Sequence, residues 1–535
     1  MLYFIPAWYR QDTWSENEQC WHKRRMHTEF DDTVKQVQLF HRNATTDFQM
    51  LLLSFTPNFR HFLHRQGVFH AKYWSCFDAM QEITATKARP LSYHDINWPK
   101  GVEMVYTPYA VNAYWYGAKY AQIEFGEDGN PIQIDMFQNE VLCRRNIYDD
   151  RGFVASTILY ENGTVLYQDY LMENGVWKLR QFASDGHVEV NQECSQYLIA
   201  KDGSKHTYRY IKKRYEGMGE VIQEVLHRYL MFTSPRDIFC VAMHRLHVEL
   251  LQKELSNKRT ILSFFEERYD FSKDPEITDM VANANYIVTD SEVNTEKIQR
   301  IFGKNSCNLK EITPYDSRVD FGISPQLSVR NILVPVDQLE EEQFEQLILQ
   351  VAAYLLENSY ARVHLFTRDA REEVKEQLLD KTGKILAEHG FPEDWAFDEE
   401  EEHTGADGNR DENDGAEQIP ILFFVEQCVD ELEVSKCMRK QRVIVDLRKQ
   451  PELFLQISAI SMGIPQIVAS KTQYVEHGRN GVMVNHVEEI REQLHFYLDG
   501  LNNWNEAVVG CYEIGQKFTT KVLLDAWSEV LRTIG

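Results

Sequence analysis

Residues 454–484 read FLQISAISMGIPQIVASKTQYVEHGRNGVMV, and the order of elements in this stretch decides the fold. Apolar residues recur at helical spacing from Leu455 to Met462, then meet Gly463 and Pro465, the residue types that end helices. The run Gln466 to Ala469 is too short for a helix and reads as a buried strand. Glu476 precedes a tight turn, His477-Gly478-Arg479-Asn480-Gly481, and Val482 to Val484 reads as a second short strand.

The same alternation extends upstream. Asn331 to Val336 reads as a strand, Glu340 to Glu357 as an amphipathic helix, and Ala361 to Phe366 as a strand. Ile419 to Val425 and Arg442 to Asp446 supply two more strands, and helices close the chain at Glu488 to Leu498 and Lys521 to Leu531. Strands that alternate with helices build a parallel sheet, because parallel neighbours need crossovers. One segment stands apart: residues 398–417, DEEEEHTGADGNRDENDGAE, hold ten acids in twenty positions. Such a composition buries too little apolar area to offset ordering and reads as a disordered surface loop.

A second α/β layer starts the chain. Leu2 to Trp8 and Phe48 to Phe55 read as strands around a helix at Thr33 to His41. Helical spacing is read at Met218 to Met231, Ile261 to Tyr269 and Pro275 to Asn283. The strand Tyr286 to Val288 follows, then a helix capped by Asp290 or Ser291, whose oxygens can accept from the first helical N–H groups. Between these parts the texture changes. Asx-Gly pairs recur at Asp128-Gly129, Asn162-Gly163, Asn174-Gly175, Asp185-Gly186 and Asp202-Gly203. They favour hairpin turns whose central residues need positive φ, and the runs between them are aromatic and β-branched. An antiparallel meander of about seven to nine strands is expected.

Bulk properties bound the function. At 535 residues, two or three domains are expected. A net charge of -25 argues against nucleic-acid binding, which needs a basic face. Nine cysteines without a CxxC pair suggest free thiols in a reducing compartment, so neither disulfides nor a metal site is expected. Neither a signal-peptide core nor a run long and apolar enough to span a membrane is read, and a cytoplasmic location is expected. The histidine pairs His61/His64 and His244/His247, each able to share a helix face, lack a third ligand and read as ordinary surface or core residues. His22-Lys23-Arg24-Arg25 reads as a solvated helix face, with contact to anionic lipid or an acidic partner as the alternative.

The C-terminal stretch resembles the nucleotide-sugar half of GT-B glycosyltransferases, in which a helix, a GxP, a strand and E…G-x-N-G follow in that order. The segment ANANYIVTDSEVNTEKIQRIFG (282–303) resembles a late strand and capped helix of the first half of that fold. The implied architecture is α/β and GT-B-like, with two Rossmann-like domains and a large antiparallel β-meander insertion. Its expected bounds are 1–105 with 216–325 for the first domain, 106–215 for the insertion and 326–535 for the second domain.

Three departures argue against transfer chemistry. The first glycine of the chain is Gly67, so no glycine-rich turn follows the first strand. The two donor-gripping glutamates of active enzymes fall on Gln450 and Ser458. Active retaining enzymes also place an Arg and a Lys after the first strand of the second domain, to meet the leaving diphosphate. Here no Lys or Arg lies between Arg330 and Arg362, and Asp337, Glu340, Glu341 and Glu342 crowd the position. Losing one preorganised charge donor costs about 3 kcal/mol, and a lost charged hydrogen bond about 1.5–3 kcal/mol more.

The opening MLYFIPAWY, the aromatic meander, the segment ITPYDSRVDFG (312–322) and this degenerate tail together resemble one family, the first of the accessory Sec system proteins of Gram-positive cocci. The resemblance implies a non-catalytic, glycosyltransferase-like adaptor or chaperone. It implies acyltransferase-like and carbohydrate-binding-like sister proteins, a dedicated SecA-type ATPase and a serine-rich repeat adhesin cargo. No catalytic, cofactor or metal residue carries over. Tyr315, Asp316, Arg318, Lys471 and Arg479 are the candidate cleft or partner contacts, with an Asp316–Arg318 surface pair in a hinge as the plainer reading. An active retaining glycosyltransferase acting on serine-rich protein is the alternative, and a lectin-like use of the meander's aromatics is a third. Peripheral contact with the inner membrane face stays open.

Overall fold

The computed structural model describes the chain except residues 11–12, 17, 22–29, 44–45, 272–276, 304–307, 319, 321 and 397–420. The basic cluster and the acidic segment of the sequence reading lie outside the described residues. Two parallel sheets and one large antiparallel sheet organise the rest.

The first parallel sheet has seven strands. Leu2–Ile5 lies at its centre, flanked by Phe48–Leu52 and Tyr73–Ser75 on one side. Ile238–Ala242, Arg259–Phe264, Tyr286–Thr289 and Leu309–Glu311 follow on the other. The second parallel sheet repeats the plan with six strands around Arg330–Pro335. Ala361–Thr367 and Phe423–Gln427 lie to one side, and Gln441–Asp446, Gln466–Val468 and Gly481–Met483 to the other. Each order reverses direction beside its first strand, the doubly wound arrangement that leaves a crevice at the carboxyl ends of the strands. Strands such as Leu2–Ile5 are buried throughout, which is why they read as unbroken apolar runs.

Between residues 102 and 215 a ten-stranded antiparallel sheet runs with its strands in nearly sequential order, and the hairpin Gln196–Lys201 with Ser204–Arg209 stands beside it. Ten strands exceed the seven to nine expected. Several turns do not use an Asx-Gly pair: Tyr116-Gly117 turns at φ 50° and 79°, and Asn139-Glu140 at 51° and 64°. Two of the five Asx-Gly turns behave as read, Asn162-Gly163 and Asp202-Gly203, each at φ 50° and 80°; at Gly129, Gly175 and Gly186 only the glycine is left-handed. This sheet is fastened to the first half by buried ions. Arg60 pairs with Asp150, and Arg151 pairs with Asp149 at 2.6 Å and Asp78 at 2.8 Å. Tyr170 packs against Phe55 and Phe77, both at 5.3 Å between ring centres.

Most elements fall where periodicity put them, including helices Asp32–Asn43, Met218–Leu230, Glu341–Glu357 and Leu453–Met462. One reading is overturned: Ile261 to Tyr269 is not helical, because Arg259–Phe264 is a central strand buried on both faces, where alternation gives no signal. The terminal helix Thr520–Ile534 crosses back to the first half, and Trp527 packs 5.7 Å from Phe40 in that core. Among the described residues no helix is long and apolar enough to cross a membrane.

Candidate functional site in the cleft

The carboxyl ends of both parallel sheets meet across the crevice, and the residues just past each strand line it. Glu266 follows the strand ending at Phe264 and adopts a left-handed φ of 45°. Its conformation is held from both sides: its N–H donates to Asp290 Oδ2 at 2.7 Å, and Asn294 Nδ2 donates to its carbonyl at 2.9 Å. The turn therefore aims a carboxylate into the cleft. Loss of hydration around its carboxyl in the crevice, together with the charges of Asp290 and Glu452, pushes Glu266 up to about 8, although the residue as a whole is exposed. A carboxyl held neutral at physiological pH donates one hydrogen bond; ionised, it repels a diphosphate.

Each cation traced near this acid is already engaged. Arg268 meets Asp31 at 2.7 Å and Asp32 at 2.5 Å, and Ser263 donates to Asp32 at 2.6 Å. Burial and the neighbouring Asp32 raise Asp31 to about 6. Burial acts on Asp32 in the same sense and is the largest single influence, but the Arg268 charge together with hydrogen bonds from Arg268 and Ser263 outweighs it and holds Asp32 low. Arg368, from the end of Ala361–Thr367, ion-pairs with Glu452. Arg448 pairs with Asp446 at 2.7 Å, and Lys449 with Glu340 at 2.7 Å. Asp337 accepts from Thr367 Oγ1 at 2.6 Å and the Arg368 N–H at 2.8 Å, so it ties two strand ends together.

The two walls also touch directly. Phe30 lies 5.0 Å from Phe454, and its carbonyl accepts from the Tyr315 hydroxyl at 2.6 Å. Gln450 bonds Glu267, Thr313 bonds Tyr474, and Gln473 donates to the Asp290 carbonyl at 3.0 Å. Ser458 spends its hydroxyl on the Phe454 carbonyl of its own helix, at 2.7 Å. After the first strand, where a glycine-rich turn would leave backbone exposed, Trp8 is buried against Phe59 and Phe62, and Tyr9 bonds His247 at 2.6 Å. Burial lowers His247 to about 3 and keeps it neutral.

The structure disperses the five candidate residues. Tyr315 is buried between the walls, and Asp316 and Arg318 form the surface pair at 3.1 Å, with Thr520 also donating to Asp316 at 2.6 Å. Lys471 bridges the halves to Glu292 at 2.8 Å. Arg479 turns away to Glu476 at 2.6 Å and to Glu513 on the helix Leu501–Gly515. His244 is the cap before its helix, extended at φ -150°, so the pair His244/His247 does not share a helical face. The turn at Gly481 is structural: a Cβ there would lie 2.2 Å from the Gln466 carbonyl. Phe30, Glu266, Arg268, Arg368 and Glu452 escaped the sequence reading. Glu266, Arg268 and Arg368 carry only the signal of a polar residue shortly after a buried strand, which is too common to single them out, and Phe30 and Glu452 carry none.

Comparison with known proteins agrees with this geometry. The family model described as accessory Sec system protein 1 matches residues 1–534. A protein of that description from Streptococcus gordonii is 29% identical over 538 residues, 99% of each chain. A crystal structure of accessory secretory proteins 1, 2 and 3 from Streptococcus pneumoniae is similar at TM-score 0.81 and 29% identity, covering 100% of this chain and 99% of that one. The pneumococcal O-GlcNAc transferase GtfA, solved with UDP and GlcNAc, shares the fold at TM-score 0.69 and 11% identity, covering 100% and 98%. The two doubly wound sheets are thus those of a GT-B glycosyltransferase-like fold, and the chain belongs to the family of accessory Sec system protein 1.

Proposed function

We propose that this chain is a non-catalytic, glycosyltransferase-like adaptor of accessory Sec export, which binds serine-rich repeat adhesin preprotein and holds its partner proteins together. One observation carries this reading. The cleft where a donor would sit is lined by Glu266 and by cations that already have carboxylate partners, and its walls bond to each other. A diphosphate entering there displaces ion pairs and meets an acid, without a preorganised donor in compensation among the described residues.

Binding needs less than catalysis. The meander offers exposed aromatic surface at Tyr106, Tyr109, Trp115 and Tyr116, suited to extended, flexible polypeptide. The proposed partners are the accessory Sec proteins 2 and 3, solved with the pneumococcal relative, and, from the family resemblance alone, a SecA-type ATPase. The chain acts in the cytoplasm, with peripheral contact at the inner membrane face as part of the same proposal.

Co-purification tests the adaptor reading. The full chain is expressed with proteins 2 and 3 and a serine-rich preprotein fragment. It is expected to elute with all three as one species, and elution of the folded chain apart from all of them would overturn the proposal.

A further inference from the structure

Away from the cleft floor, the edge strand Phe423–Gln427 of the second sheet and the helix Glu431–Met438 bring three metal-ligating groups together. Glu426, Cys428 and Cys437 each point one ligand atom to a common locus, and these atoms lie within 4.8 Å of one another. Their sequence spacing, C-x8-C with a Glu two positions before the first Cys, is not a zinc pattern, and only the fold assembles them. A tetrahedral zinc ion with bonds of about 2.3 Å to sulfur holds two thiolates about 3.8 Å apart, within the span found here.

The surroundings fit a ligand set as well as an apolar core does, and in one respect better. Cys428 and Cys437 are buried in a cluster with Phe366, Val434 and Leu455, so neither thiol needs a polar neighbour to be packed there. A glutamate beside two buried thiols gains nothing from that cluster. It is instead held in place: His364 Nδ1 lies 2.8 Å from Glu426 Oε1, and the His364 ring stacks on Phe424 at 5.4 Å. Outer hydrogen bonds of this type orient ligating carboxylates. On the sulfur side, the fully buried Gln441 places Nε2 3.7 Å from Cys437 Sγ, a donor that favours a thiolate.

We infer that Glu426, Cys428 and Cys437 form a binding site for a soft divalent cation of the zinc type, with solvent in the fourth position. Binding takes up the metal, releases the two thiol protons to solvent and uses the carboxylate as it stands. The site also connects to the cleft. The Cys428 carbonyl accepts from Arg368 Nη1 at 2.9 Å, and its N–H donates to the Thr367 carbonyl at 3.0 Å. Metal at this position stiffens the turn that holds Arg368 against the opposite wall.

Cobalt(II) titration of the reduced, chelator-stripped full chain tests the inference. One equivalent is expected to give thiolate-to-cobalt charge-transfer absorption that one equivalent of zinc(II) removes. Cys428→Ala and Cys437→Ala keep the core apolar and are expected to abolish the band, with folding checked by circular dichroism. His364→Ala, which removes only the outer hydrogen bond, is expected to weaken zinc binding about 10- to 100-fold. Absence of the band from the native chain would overturn the site whatever the variants do. So would a band that survives both cysteine substitutions, or a Cys428–Cys437 disulfide in mass spectrometry without cobalt uptake.

Discussion

The Arg368 guanidinium, from the second half of the chain, stands 4.2 Å from the centre of the Phe30 ring, from the first. Glu452 pairs with the same guanidinium, so its charge is satisfied while its face is used for packing. Arg368 therefore clamps the two halves of the chain together.

Phe30→Ala removes the ring shared by Arg368 and Phe454. The ring is only half-buried, so the expected cost is about 1–3 kcal/mol, below that of a full core aromatic. Denaturant unfolding of the variant checks the magnitude, and an unchanged midpoint would show that the walls do not rely on this contact.

Glu266 gives the cleft a pH signature. Its folded value, about 8, lies above the ordinary 4.5, so the folded chain keeps a proton that the unfolded chain releases. Its contribution to stability therefore falls as pH rises from about 4.5 to about 8 and is level above that. Glu266→Gln should raise the Tm near pH 8 and leave it unchanged near pH 4. Equal shifts at both pH values would refute the assignment.

Asp150 anchors the antiparallel sheet. Its carboxylate accepts from the Arg60 backbone N–H at 2.8 Å and pairs with the buried Arg60 side chain. Asp150→Ala removes the nearer carboxylate of that guanidinium, leaving Asp149 at 3.4 Å, and is expected to cost about 3 kcal/mol, the low end for breaking a buried pair. Thermal unfolding should fall sharply, and a near-neutral result would mean that the sheet is held by packing alone.

Trp527 is a core residue of the first half although it lies near the end of the chain. Trp527→Ala is expected to cost about 3–5 kcal/mol, and removal of the helix Thr520–Ile534 to unfold that half. Lost complex formation in such a truncation would then report folding, not a partner contact. Circular dichroism of the isolated variant separates the two.

Sequence reading succeeded where one face or one period dominates. The amphipathic helix Glu341–Glu357 and the glycine-terminated helix Leu453–Met462, with Gly463 left-handed at φ 72°, were legible for that reason. It failed at Arg259–Phe264, where burial on both faces erases the period, and at Asn139-Glu140, a turn without glycine. The cleft was legible only as a deficit: the missing cations after Val336 could be read, but the pairing of Arg368, Glu452 and Phe30 could not. Those contacts join residues far apart in sequence, Glu452 being 84 positions from Arg368 and Phe30 farther still, and Glu266 becomes unusual only when Asp290 and Glu452 are folded beside it.

The central claim is that the cleft carries no donor chemistry. Calorimetric titration of the purified chain with a panel of nucleotide sugars, paired with transfer of labelled sugar to a serine-rich peptide, tests it most directly. The account predicts neither heat of binding nor label transfer. Micromolar binding with transfer would contradict it and make the cleft around Ser458 and Lys471 an active site.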